Sequence, residues 1–149
     1  MDERATRILD EITPERVVEI ASDLIRIPSF KTEETPLARW LDGYLNERGY
    51  EVDLQEVEPG RYQVLARLRG TGGGQTLMLN GHLDIDPLSL GWKHDPWEPK
   101  VEGDRLYGAG VMNMKGADAA MITAAEAVRL SGDRLPGDVL LALVVGELQ

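Results

Sequence analysis

The sequence predicts an α/β fold, a three-layer domain whose mixed, largely parallel sheet is flanked by helices. Three observations carry that expectation. Apolar residues recur at helical spacing as far as Gly49, then alternate from Tyr50 to Leu68. A second helical stretch, Ala-rich, runs from Ala117 to Leu130. The strand after it, Val139 to Val145, is apolar on both faces, the mark of a central strand covered on both sides.

Taken in order, the first dozen residues form a short helix with Ala5, Ile8, Leu9 and Ile12 on one side. Thr13-Pro14-Glu15 opens a second helix: threonine caps, proline suits the first turn, and glutamate favours the positive end of the helix dipole. Val17, Ile20, Leu24 and Ile27 repeat along it until Pro28. Thr35-Pro36 repeats the start signal, Leu37, Trp40, Leu41, Tyr44 and Leu45 form the apolar stripe, and Gly49 is the stop. Tyr50, Val52 and Leu54, then Tyr62, Val64, Ala66 and Leu68, mark two strands with one buried face each. Gly70 to Gly74 is a flexible turn before a strand from Thr76 to Leu79. The stretch from Gly81 to Gly110 is a long loop rich in Pro, Gly, Trp and Asp, with a short strand pair at Lys100–Val101 and Arg105–Tyr107. Loops of that length inside a compact domain are often functional.

The 149 residues suit one domain with a sizeable core. Twenty-six acidic against 16 basic side chains give a net charge of −10, which a phosphate backbone repels, so no nucleic-acid partner is expected. The chain has no Cys, so any metal must be held by His, carboxylate or amide groups. Met-Asp-Glu-Arg is no signal peptide and no apolar run reaches the roughly 18 residues that span a bilayer, so no membrane partner and a cytoplasmic location are expected.

His82-Leu83-Asp84 follows directly on a strand, where period two puts His82 and Asp84 on one side. A carboxylate there can accept a hydrogen bond from the second ring nitrogen of a metal-bound imidazole. A lone His-x-Asp is also what a satisfied core or surface pair looks like. Glu147 follows directly on the strand Val139–Val145. Ligands of open α/β sheets bind at the carboxyl ends of strands, so parallel neighbours would bring His82 and Glu147 to one crevice. Gly108 to Gly116 runs from loop to helix, and its glycine spacing fits neither nucleotide fingerprint. His94, Trp92 and Trp97 read as loop residues, the tryptophans as anchors on either side of Asp95-Pro96.

Gly81-His82-Leu83-Asp84, Trp92 to Trp97, Gly103 to Gly108, Met114-Lys115-Gly116 and Glu147 occur in an order that resembles the amino-terminal third of a zinc amidohydrolase and metallopeptidase family. That family comprises acetylornithine deacetylase, succinyl-diaminopimelate desuccinylase and the glutamate-releasing carboxypeptidases, and the resemblance runs from about Val17 to the last residue. It implies zinc, one or two ions in relatives, and hydrolysis of amide bonds in N-acyl amino acids or small peptides. His82 falls on a zinc ligand, Asp84 on the residue that orients it, and Glu147 on the general base that activates water. Asn113 falls on an aspartate that bridges two ions, and Leu148 on a glutamate ligand. Both substitutions weaken the site, because an amide lacks the charge and second anionic oxygen of a carboxylate and leucine ligates nothing. The resemblance further implies that residues 1–149 are the truncated amino-terminal part of a catalytic domain, inactive alone. The lid domain, with homodimerisation of a full-length parent, and the distal ligands would lie elsewhere. The alternative is a degenerate relative that binds N-acyl amino acids or peptides without cutting them.

Overall fold

The computed structural model describes residues 2–148. Helices α1 (Glu3–Asp10), α2 (Pro14–Ile25) and α3 (Thr35–Asn46) lead into β1 (Glu51–Glu58), β2 (Arg61–Leu68) and β3 (Leu77–His82). The loop that follows carries a hairpin of β4 (Lys100–Glu102) and β5 (Arg105–Tyr107), and the chain continues as α4 (Gly116–Leu130) and β6 (Val139–Val144). Thr13 caps α2 as its sequence signal requires, accepting from the Arg16 N–H at 3.3 Å. Thr35 does not cap α3. Its hydroxyl donates instead to the Gly60 carbonyl at 2.8 Å and accepts from the Tyr62 N–H, tying α3 to the turn between β1 and β2.

The sheet order is β1-β2-β6-β3, so the apolar strand β6 is central and paired on both edges. The sheet is mixed and flanked by helices, as expected, but two details differ. Only β3 and β6 run parallel; β1–β2 and β2–β6 are antiparallel, which corrects the expectation of a largely parallel sheet. Hairpin neighbours such as β1 and β2 need only a tight turn, whereas the parallel pair is separated by the loop and α4. The helices also form one layer, not two. Ile20, Leu24, Leu37, Leu41, Leu45 and Ile122 pack with Val64, Ala66, Leu141 and Leu143 in a single cluster. Residues of the opposite parity, among them Asp53, Gln55, Met78 and Asn80, are exposed. The three-layer expectation rested on the apolar composition of β6; among the described residues one face of the sheet is uncovered.

A buried ion pair locks the closed side of the domain. Glu34, fully buried just before α3, receives two hydrogen bonds from the Arg61 guanidinium, at 2.6 and 3.0 Å. That fork geometry compensates the desolvation of the carboxylate and raises the Arg61 pKa further above its ordinary value.

Candidate metal centre

β3 and β6 end side by side, His82 in register with Val144. Parallel pairing thus brings His82 and the turn bearing Glu147 to the same carboxyl end of the sheet, the location at which α/β folds place ligands. His82 is 5% exposed and Asp84 fully buried. The imidazole Nδ1–H donates to the main-chain carbonyl of Asp84 at 2.8 Å, while the Asp84 carboxylate stays 3.7 Å away. The expected carboxylate–imidazole bond is therefore replaced by a carbonyl–imidazole bond from the same residue. The carboxylate accepts from the N–H groups of Gly146, Glu147 and Leu148 at 3.0, 3.3 and 2.7 Å. One aspartate thus fixes the tautomer of His82 through its backbone and the position of Glu147 through its side chain.

With Nδ1 donating, Nε2 carries a lone pair. It lies 3.0 Å from Asn113 Oδ1 and 3.5 Å from Glu147 Oε2. Three electron-rich atoms face one another, an arrangement that a cation between them, proton or metal, would relieve. Their chemistry, one imidazole nitrogen and two oxygens, fits zinc in kind. It does not fit in number: among the described residues no three His, Cys, Asp or Glu side chains are grouped closely enough to hold a metal ion. Leu148 contributes its N–H to Asp84 and nothing else to the centre.

Asn113 sits in a wide helical turn, Val111–Lys115, whose Asn113–Met114 peptide bond is cis. Gly110 enters the turn at φ 73°, where a Cβ would collide with Ile85, so glycine is required there. The turn is fastened by Lys115, a residue the sequence reading quoted in a motif without a role. Its side chain is fully buried, and its ammonium donates to the carbonyls of Leu24 and Ile27, both at 2.7 Å. It thereby caps the carboxyl end of α2 and anchors the Asn113 turn to it. Burial pulls the Lys115 ammonium down, to about 7, against the raising effect of Asp118.

Asp118 was missed entirely. It is 1% exposed, and neither carboxylate oxygen has a hydrogen-bond partner among the described residues. It packs against Gly81, where a Cβ would collide with it. Burial pushes its pKa up to about 7, opposed by His82 and Lys115. A signal for it existed: Asp118 precedes Ile122 and Ala125 on the core stripe of α4, where a carboxylate is out of place. His94, by contrast, lies among Lys100 and Glu102 in the loop, and nothing brings it to the centre.

Residues 78–148 match the family model described as Peptidase family M20/M25/M40. The chain is 35% identical over 143 residues to the N-formyl-4-amino-5-aminomethyl-2-methylpyrimidine deformylase of Bacillus subtilis (strain 168), covering 89% of this chain and 33% of the relative. It is 36% identical over 135 residues to succinyl-diaminopimelate desuccinylase of Gluconobacter oxydans (strain 621H), covering 90% and 35%. Among solved structures, human carnosine dipeptidase 1 superposes with a TM-score of 0.77 at 23% identity, over 95% of this chain and 33% of that one. The dipeptidase Dug1p of Saccharomyces cerevisiae gives 0.78 at 18% identity, over 94% and 34%. The chain spans about a third of the length of the curated relatives it matches. The order of motifs, the fold that places them and these likenesses agree: the chain belongs to the M20/M25/M40 peptidase family.

Proposed function

We propose that this chain supplies the amino-terminal part of the catalytic domain of a zinc-dependent amide hydrolase, acting on N-acyl amino acids or small peptides. The observation that carries the reading is the convergence of His82 Nε2, Asn113 Oδ1 and Glu147 Oε2 at the carboxyl ends of the parallel pair. The relatives named above include a deformylase and a desuccinylase, both of which by name remove an acyl group. In this reading His82 and Asn113 hold the metal through Nε2 and Oδ1, with further ligands and a lid from outside these residues. Bound zinc supplies Lewis acidity, which acidifies water and stabilises negative charge on a carbonyl oxygen. Glu147 takes a proton from the attacking water and returns it to the leaving amine. Asp84 keeps that carboxylate aimed by holding the three N–H groups of its turn.

A second reading draws on Asn113 and Leu148. With two carboxylates replaced and no triad of ionisable ligands among the described residues, a protein that binds such amides without cutting them is the alternative. Zinc content and hydrolysis of N-acetyl amino acids, measured on the complete protein and its Glu147→Gln variant, separate the two. Hydrolysis by the parent, lost in the variant while zinc stays bound, is the expected result. Binding without turnover in both would favour the second reading. The 149-residue chain alone is expected to show no zinc-dependent hydrolysis.

A further inference from the structure

We propose that the cavity beside Asn113 is a substrate subsite for a planar, aromatic group bearing an amine, stacked on Trp92. The proposal rests on the amide-hydrolase reading and specifies which amides the centre takes. The cavity measures about 250 Å³ and its walls include Asp86, Pro87, Leu88, Trp92, Met112 and Asn113. Asn113 is also the residue whose Oδ1 faces His82 Nε2, so a carbonyl held at that centre has the cavity next to its substituent. A void of roughly 150 Å³ accepts benzene, so this one admits a single ring with its substituents.

The walls are apolar where water would ordinarily favour polar side chains. Met112 is 91% exposed and Trp92 39% exposed. The two tryptophans of the loop, alike in sequence, differ here. Trp97 meets Phe30 edge to face at 5.5 Å and lies 5.7 Å from the Lys115 ammonium, so it is the loop anchor that both were expected to be. Among the described residues the ring of Trp92 has neither an aromatic nor a cationic partner. Trp92 and Ser89 also wall a second cavity of about 390 Å³, so the indole lies between the metal centre and a wider recess. Asp86 is the one charged side chain lining the smaller cavity among the described residues. An indole face beside a carboxylate suits a ring that carries an amine, through stacking and cation–π attraction, and disfavours an acid.

The test compares, on the complete zinc-loaded protein, the N-formyl amides of 4-aminobenzylamine and of 1,4-diaminobutane. Free 4-aminobenzylamine is also titrated calorimetrically into metal-free protein. The aromatic amide should be the better substrate by kcat/KM, and Trp92→Ala should lower its value by about tenfold while changing the aliphatic amide less than about twofold. Trp92→Phe, which keeps a ring, should retain most of the preference and shows that loss in the alanine variant is not misfolding. Asp86→Asn should weaken binding of the free amine. Equal loss for both amides in Trp92→Ala, or none, overturns the subsite while leaving the hydrolase reading intact. Binding of the amine that is lost in Trp92→Ala, without hydrolysis of either amide, supports the subsite and overturns the hydrolase reading. Neither binding nor hydrolysis overturns both.

Discussion

The two edges of the sheet are built on opposite principles. β1 closes one edge with Glu51, Asp53, Gln55, Glu56 and Glu58, all exposed. β3 forms the other with Leu77 and Met78, 56% and 58% exposed, and then runs into His82. Charged edge strands resist the addition of another strand; apolar ones invite it. The contrast continues inside. The buried carboxylate near β1 and β2, Glu34, is forked by Arg61, whereas the one near β3, Asp118, has no partner among the described residues. The side away from the centre is therefore finished by charge pairing, and the side that carries the centre leaves costs uncompensated. Uncompensated groups of this kind collect where chemistry is done.

The comparison breaks first at the Glu34–Arg61 pair. Arg61→Met leaves a fully buried carboxylate alone and should cost about 3–5 kcal/mol, read as a lower denaturant midpoint. Replacing both residues by apolar ones should restore most of that loss. A single variant that loses under about 1 kcal/mol would mean that the closed side is not held by this pair.

What could be read from the sequence follows the same division between local and distant causes. The start of α2 was legible because Thr13 and Pro14 act on their own helix. The alternation of Val64, Ala66 and Leu68 showed β2 because one strand face suffices for the pattern. The antiparallel share of the sheet was not legible, since β6 reads equally apolar whichever way its neighbours run. At the centre, His82, Asn113 and Glu147 were visible through motif order, and the structure brings their polar atoms together. That Asp84 serves His82 by its carbonyl and Glu147 by its carboxylate depends on β6 arriving beside β3, a contact no local spacing contains. The Lys115 anchor spans from the turn to α2 and was hidden for the same reason.

Asp118 gives the next prediction and a pH signature. Its folded pKa is raised from the model value 3.8 to about 7, so the folded state binds the proton more tightly than the unfolded one. Stability from that difference is present in full below about 4, falls as pH rises through the window to about 7, and is then gone. The loss across the window should reach up to about 4 kcal/mol. Asp118→Asn should remove that slope in metal-free protein, as read by thermal unfolding at closely spaced pH values. A slope that survives the substitution would assign the effect elsewhere.

A smaller effect is expected from completing the ligand set. Asn113→Asp with Leu148→Glu in the complete protein should raise zinc stoichiometry toward two per chain, each alone doing less. A bridging and a terminal carboxylate act on the same ion, so the double variant should exceed the sum of the singles by about 0.5–3 kcal/mol of binding. The bare oxygens around His82 would then be satisfied on the β3 side as Glu34 already is on the other. If the double variant binds no more zinc than the parent, the surroundings of Asn113 no longer accommodate a second ion, and binding without cutting becomes the preferred reading.

The smallest change in folding energy falls at the edges themselves, and there association is the informative readout. Met78 is more than half exposed, so Met78→Lys should shift folding by no more than about 0.5 kcal/mol. It places a charge on the one edge that lacks them, and should reduce concentration-dependent association of the 149-residue chain in sedimentation velocity. The reverse change tests the other edge: Asp53→Val removes a charge from the exposed row of β1 and should promote association there. The overall charge of −10 opposes both contacts at low salt, so the difference between the variants should widen as salt screens it. A parent chain that remains monomeric at high salt and high concentration would show that apolar exposure on β3 is too small or too twisted to template a strand. The two edges would then differ in composition without differing in behaviour.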